Sequence, residues 1–276
     1  GTYLSFTTVA NSTFTIVAAP GTYAYYCSIH SGPPYNSVSA MRGTWIVNGR
    51  PATTFAAPGA GTSWTGGVTR DIVFDLSDDN PLTSLTVWVN YSYGGGANRG
   101  TIAGPIAGAA NPNTVPWTPA GFTAPDVVIE VTAVDAEGAK RTSLSVAFEV
   151  DSTAPTIAAR SPAPNAVGVN RNRQVRVTWS EPMNTAATGS PSSFAVQRVS
   201  DGAWTSGTIS WAPNATQMAF TPAAPLDPLI TYEGHVNASA RDDSDPGNTF
   251  AGPATWPFTT GTSADTLPPT VASATA

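Results

Sequence analysis

Apolar and polar residues alternate one for one along much of the chain. In Leu85-Thr86-Val87-Trp88-Val89 one face is apolar throughout, and the same period of two runs through residues 70–76, 82–93, 126–134 and 143–150. That period places successive side chains on opposite faces of an extended strand. It recurs at 174–180, 194–198, 207–211, 217–221, 231–236 and 254–260. Gly, Pro, Asn and Asp separate these short runs, as turns do between strands. The pattern predicts an all-β chain of tandem β-sandwiches, with no helix longer than about three turns.

Composition agrees. The chain has 276 residues, with 25 Gly, 25 Pro and a single Lys, Lys140. Such a length suggests two to three domains. Only five residues are Glu, which leaves little material for the long polar faces of a helical fold. Apolar residues make up 41 %, enough to fill several small cores. The net charge is −6, and 12 scattered Lys and Arg form no basic patch for nucleic acid. No apolar run has the length of a membrane span. One cysteine, Cys27, excludes an internal disulfide framework. Residues 1–70 hold no Asp or Glu, and all 18 acids lie from Asp71 onward, which marks the first stretch as a different module.

An internal repeat sets the boundaries. Asp151-Ser-Thr-Ala-Pro155-Thr-Ile-Ala158 returns 114 residues later as Asp265-Thr-Leu-Pro-Pro269-Thr-Val-Ala272. That period fits one sandwich per repeat. Pro fixes its own φ and restricts its predecessor, so Asp151 to Pro155 reads as a stiff linker that holds two sandwiches end to end. Four pieces are expected: 1–48, 49–152, 153–262 and the opening of a further repeat at 263–276. The lack of an initiator Met at Gly1 leads us to expect a piece of a longer polypeptide.

The third piece carries a recognisable string. Gly168-Val-Asn170, Val175-Arg-Val-Thr-Trp-Ser-Glu181-Pro182-Met183-Asn184, Phe220-Thr-Pro222, Tyr232, Ala240-Arg-Asp242, Gly247-Asn248 and Trp256-Pro-Phe258 together resemble the bacterial Ig-like domain of S-layer and other prokaryotic surface proteins. The resemblance implies a seven-stranded sandwich used as a spacer or adhesion unit. Trp179 stands where that family more often has Phe. Residues 49–152 look like a more generic Ig-like or fibronectin-like sandwich.

The acid-free module carries another pattern. Pro20-Gly21-Thr22-Tyr23-Ala24-Tyr25-Tyr26-Cys27-Ser28-Ile29-His30, followed by Met41-Arg42-Gly43-Thr44-Trp45-Ile46-Val47, resembles the C-terminal part of a plastocyanin-like cupredoxin, a Greek-key sandwich. The resemblance implies that Cys27, His30 and Met41 bind copper, Cys27 and His30 equatorially and Met41 axially. Soft thiolate and thioether suit Cu(I), and imidazole suits both redox states. Tyr23, Tyr25 and Cys27 alternate onto one strand face, and the turn that follows brings His30 back. Two features depart from the family: residues 31–40 lengthen the loop to Met41, and the second His ligand is not in this chain. The two histidines here are His30 and His235, and His235 reads as an ordinary strand histidine.

Asp242, Asp243, Asp245 and Asn248 share one loop, and Asp75, Asp78 and Asp79 another. Clustered hard oxygens can hold Ca²⁺, although neither run has EF-hand spacing and solvated turn acids are the commoner reading. Four Asn-x-Ser/Thr sequons, at Asn11, Asn90, Asn214 and Asn237, are about what composition gives by chance. Gly-x-Ser-x-Gly, His-Glu-x-x-His and Cys-x-x-Cys are absent, and two distant histidines leave little for acid–base chemistry, so no enzyme is expected.

The expected role is a segment of a large prokaryotic extracellular or cell-surface protein. Its Ig-like domains would serve as structural or adhesive units of a stalk, layer or filament, with a cupredoxin-like domain attached. The alternative is a copper protein that carries electrons on Ig-like spacers, with a redox partner. Open strand edges in 1–48 and the lone strand at 268–276 lead us to expect either completion by sequence outside this chain or strands lent by neighbouring copies, and with the latter self-association or contact with other surface proteins.

Overall fold

A computed structural model describes residues 18–26, 42–189 and 193–264. These form β1 (Gly21–Tyr26), β2 (Arg42–Val47), β3 (Ala52–Ala57), β4 (Ser63–Thr65), β5 (Arg70–Ser77), β6 (Thr86–Tyr93), β7 (Asn98–Ala107), β8 (Asn113–Trp117), β9 (Ala124–Val134), β10 (Lys140–Leu144) and β11 (Phe148–Asp151). Then follow β12 (Ile157–Ser161), β13 (Ala166–Val169), β14 (Val175–Trp179), the single-turn helix α1 (Thr185–Thr188), β15 (Phe194–Arg198), β16 (Gly207–Trp211), β17 (Gln217–Pro222), β18 (Thr231–Val236) and β19 (Ala254–Thr260). The protein is all-β, a set of β-sandwiches, as the alternation predicts. Among the described residues no helix is long and apolar enough to cross a membrane.

The chain groups into two compact units. The first takes the described residues of Gly1–Thr62, Thr69–Trp117 and Ala124–Phe148, and the second takes Ser63–Val68, Thr118–Thr123 and the described residues from Glu149 onward.

In the first unit β3, β5 and β8 make one antiparallel sheet, while β10, β9, β6 and β7 lie side by side in another. Strict alternation drives this layering. Ile72, Phe74 and Leu76 of β5, Val87 and Val89 of β6, and Val127, Ile129 and Val131 of β9 are all buried. Polar neighbours such as Asp71 and Asp75 point outward. The alternating run over 82–93 is shorter as a strand than its pattern suggests. Pro81 starts a turn of 3-10 helix at Leu82–Ser84, and pairing begins only at Thr86. The run over 143–150 is broken into β10 and β11. Between them the Ser145 hydroxyl accepts the Ile129 N–H at 2.9 Å, so a side chain takes the place of a ladder carbonyl. β1 and β2 form an antiparallel pair with Tyr23 opposite Trp45 and Tyr26 opposite Arg42.

In the second unit two four-stranded sheets, ordered β12-β14-β17-β16 and β13-β19-β18-β15, enclose one core. Val175, Val177 and Trp179 of β14 and Met218 and Phe220 of β17 meet Phe194, Tyr232, Trp256 and Phe258 from the other sheet. Each large side chain so buried contributes about 1.5–3 kcal/mol. Trp179 is accommodated edge-on against Phe250, ring centroids 5.3 Å apart. β12 and β13 go beyond the strands the alternation predicts. Asp151, read from sequence as the start of a linker, instead closes β11, which runs parallel to β4 with Asp151 opposite Thr65.

Candidate functional site

Cys27, His30 and Met41 lie outside the described residues, as does the repeat from Asp265. What the structure places is their flank: Tyr26 and Arg42, which adjoin Cys27 and Met41 in sequence, are partners across the β1–β2 pair.

Within the second unit three carboxylates converge. One oxygen from each of Asp151, Glu181 and Asp242 lies within 4.8 Å of the other two. Among the described residues this is the one such group of His, Cys, Asp or Glu side chains; Asp75, Asp78 and Asp79 do not make another.

Each acid arrives by a different route. Asp151 ends β11 and is 8 % exposed. Its Oδ1 accepts from the Thr153 N–H at 2.8 Å and from the Thr123 hydroxyl at 3.3 Å. Its carbonyl accepts from Asn248 Nδ2 at 3.1 Å. Glu181 lies just past β14 and precedes Pro182, which favours extended over helical geometry at its predecessor. The Met183–Asp242 bridge and the bond from Asn184 N–H to the Arg241 carbonyl, 3.0 Å, tie this turn to the loop that carries Asp242.

Asp242 is fully buried, at 0 % exposure. Its Oδ1 accepts three bonds, from Ser244 N–H at 3.0 Å, the Ser244 hydroxyl at 2.7 Å and Asn248 N–H at 3.0 Å. These bonds close the 242–248 loop around the side chain, a role that suits a short carboxylate. Its Oδ2 is buried and has no hydrogen-bond partner. A buried acceptor left unmade costs about 1–3 kcal/mol, more when charged.

The electrostatics are one-sided. Burial, and then the negative charges of Asp151 and Asp242, push the Glu181 carboxyl up to about 7. Asp243 is also raised, by desolvation and by the same two neighbours. The acidic loop at 242–248 therefore does not gather its own acids. Asp242 turns inward to Asp151 and Glu181, while Asn248 serves as a donor. Sequence reasoning had Asp242 as a candidate but placed Asp151 in a linker and Glu181 in a family string.

His235 lies on β18 with its ring edge on Trp204, centroids 5.0 Å apart, and Nε2 3.4 Å from a Glu233 oxygen. It borders a cavity of about 750 Å³ lined by Phe194, Trp204, Ile209 and Phe220.

Residues 151–260 match the bacterial Ig-like domain family. The match begins at Asp151 and takes in Glu181 and Asp242. No curated relative matches the chain in sequence. Among solved structures, the N-terminal part of the bacterial S-layer protein SbsC is 16 % identical, with 40 % of this chain and 24 % of that chain covered and a TM-score of 0.31. CopC from Methylosinus trichosporium OB3b is 12 % identical, with 41 % and 99 % covered and a TM-score of 0.32. The human desmocollin-1 ectodomain is 14 % identical, with 87 % and 48 % covered and a TM-score of 0.38. The chain thus spans about a quarter of the S-layer fragment.

Proposed function

We propose that this chain is a segment of a prokaryotic extracellular or cell-surface protein in which Ig-like sandwiches act as structural or adhesive units, without catalysis. The observation that carries this reading is the bacterial Ig-like match over 151–260, which coincides with the closed two-sheet core of the second unit. A sandwich with its own core can be repeated along a polypeptide without rebuilding its neighbours. Partners in this reading are neighbouring copies or other surface proteins. Protease shaving and antibody labelling of intact cells test it. The protein should be cleaved and labelled from outside, and a protein protected until lysis would overturn the reading.

A second reading adds a copper-binding, electron-carrying module at the N-terminus. Its support is the cupredoxin-like pattern together with the pairing of Tyr26 with Arg42, which joins the two segments that lead to Cys27 and Met41. Cys27, His30 and Met41 would hold the metal, and a thiolate, an imidazole and a thioether are the donor set that copper favours. A further His from outside this chain completes that set. Cu(II) added to the intact protein should give an intense visible thiolate band that Cys27→Ala abolishes. A colourless intact protein would exclude it.

A further inference from the structure

We propose that Asp151, Glu181 and Asp242 form a calcium-binding site within the second unit. Two independent observations carry this. First, three carboxylates from separate segments bring one oxygen each within 4.8 Å of one another. Oxygens bound to one Ca²⁺ at 2.3–2.6 Å can stand up to about 5 Å apart, so a single ion fits this span. Second, the fully buried Asp242 has an oxygen with no donor. Its other oxygen already accepts three bonds, which lock the side chain in place and leave Oδ2 as a fixed, dry acceptor.

A cation supplies what that oxygen lacks. The charges that act on Glu181 are those of Asp151 and Asp242, both negative. A divalent ion converts their mutual repulsion into attraction to a common centre. The donors are all hard oxygens, with no imidazole or thiolate, which disfavours zinc and copper. Calcium accepts irregular sets of carboxylate, carbonyl and water oxygens, whereas magnesium demands a near-ideal octahedron and keeps several waters. Ligands drawn from the end of β11, the turn after β14 and the loop between β18 and β19 make the ion a cross-link of three segments. The inference does not depend on the surface-protein reading.

The test uses the full chain, stripped with EDTA and titrated with CaCl₂ or MgCl₂ by calorimetry, with thermal unfolding in parallel. Calcium at about a hundred times its dissociation constant should raise the melting temperature of the second unit by about 5–11 °C. Glu181→Gln should weaken calcium binding at least about tenfold and, at the same calcium concentration, cut the shift to about half or less. In EDTA the same variant should melt no lower than the parent, because it relieves the repulsion from Asp151 and Asp242. Asp151→Asn should also lose calcium binding. The proposal is overturned by a parent protein indifferent to calcium, by a calcium shift that Glu181→Gln retains in full, or by magnesium acting equally well.

Discussion

Thr156 and Ser180 hold each other by two hydrogen bonds. The Ser180 N–H donates to the Thr156 carbonyl at 2.9 Å, and the Thr156 N–H donates to the Ser180 hydroxyl at 2.9 Å. The pair fixes the chain leaving Asp151 beside the turn that carries Glu181, so it acts as a strut for two of the three acids.

Ser180→Ala removes the hydroxyl and keeps the backbone bond. The hydroxyl also donates to Glu181 Oε1 at 3.3 Å, so the expected loss is about 1–3 kcal/mol, the usual net worth of two such bonds. Ser180→Thr, which retains an acceptor, should recover most of it. Urea denaturation of the three proteins checks this, and equal stability of Ser180→Ala and the parent would show that the strut is idle.

Gly234 sits on β18 directly opposite Trp256 on β19. A Cβ at position 234 would lie 2.5 Å from the Trp256 ring. That ring cannot retreat: it is 1 % exposed and stacked on Phe194, centroids 6.2 Å apart at 18°. Gly234→Ala should therefore cost about 1–3 kcal/mol by overpacking. Chemical denaturation followed by tryptophan fluorescence reads the effect, and an unchanged midpoint would mean the ring is loosely held.

How far these features were legible in the sequence differs by kind. Ile72, Phe74 and Leu76 are buried where the period of two put them, because a half-buried strand writes its geometry directly into alternation. β12 and β13 escaped. They are short, Pro162 and Pro164 lie between them, both pair irregularly, and Val167 is 80 % exposed, so no apolar face shows. The acidic cluster was only half visible. Asp242 stood out in an acid-rich loop, but its partners lie 61 and 91 residues earlier. The parallel pairing of β11 with β4 and the Met183–Asp242 bridge bring them together, and no local pattern encodes such contacts. The copper candidates Cys27, His30 and Met41 rest on sequence resemblance, since they fall outside the described residues.

Asp126 gives the first unit a defined response to acid. The turn after β6 runs through Gly94 and Gly95, both at φ +64, a left-handed conformation that glycine adopts without steric cost. This aims two successive N–H groups at one carboxylate: Gly94 at Oδ1, 3.0 Å, and Gly95 at Oδ2, 2.9 Å. Both bonds favour the ionised form and hold the Asp126 carboxyl below its ordinary value. A depressed carboxyl contributes stability that is fully present above its unfolded pKa, about 4, and is lost as pH falls through the folded value. Stability of the first unit should therefore decline below about pH 4, with part of that slope due to Asp126. Asp126→Asn keeps an acceptor but cannot ionise, so its stability should vary less with pH in this window and should lie below the parent at neutral pH. Side-chain carboxyl NMR titration reads the folded value directly. A resonance that titrates at or above the ordinary aspartate pKa would show that the two glycine N–H groups do not hold the charge.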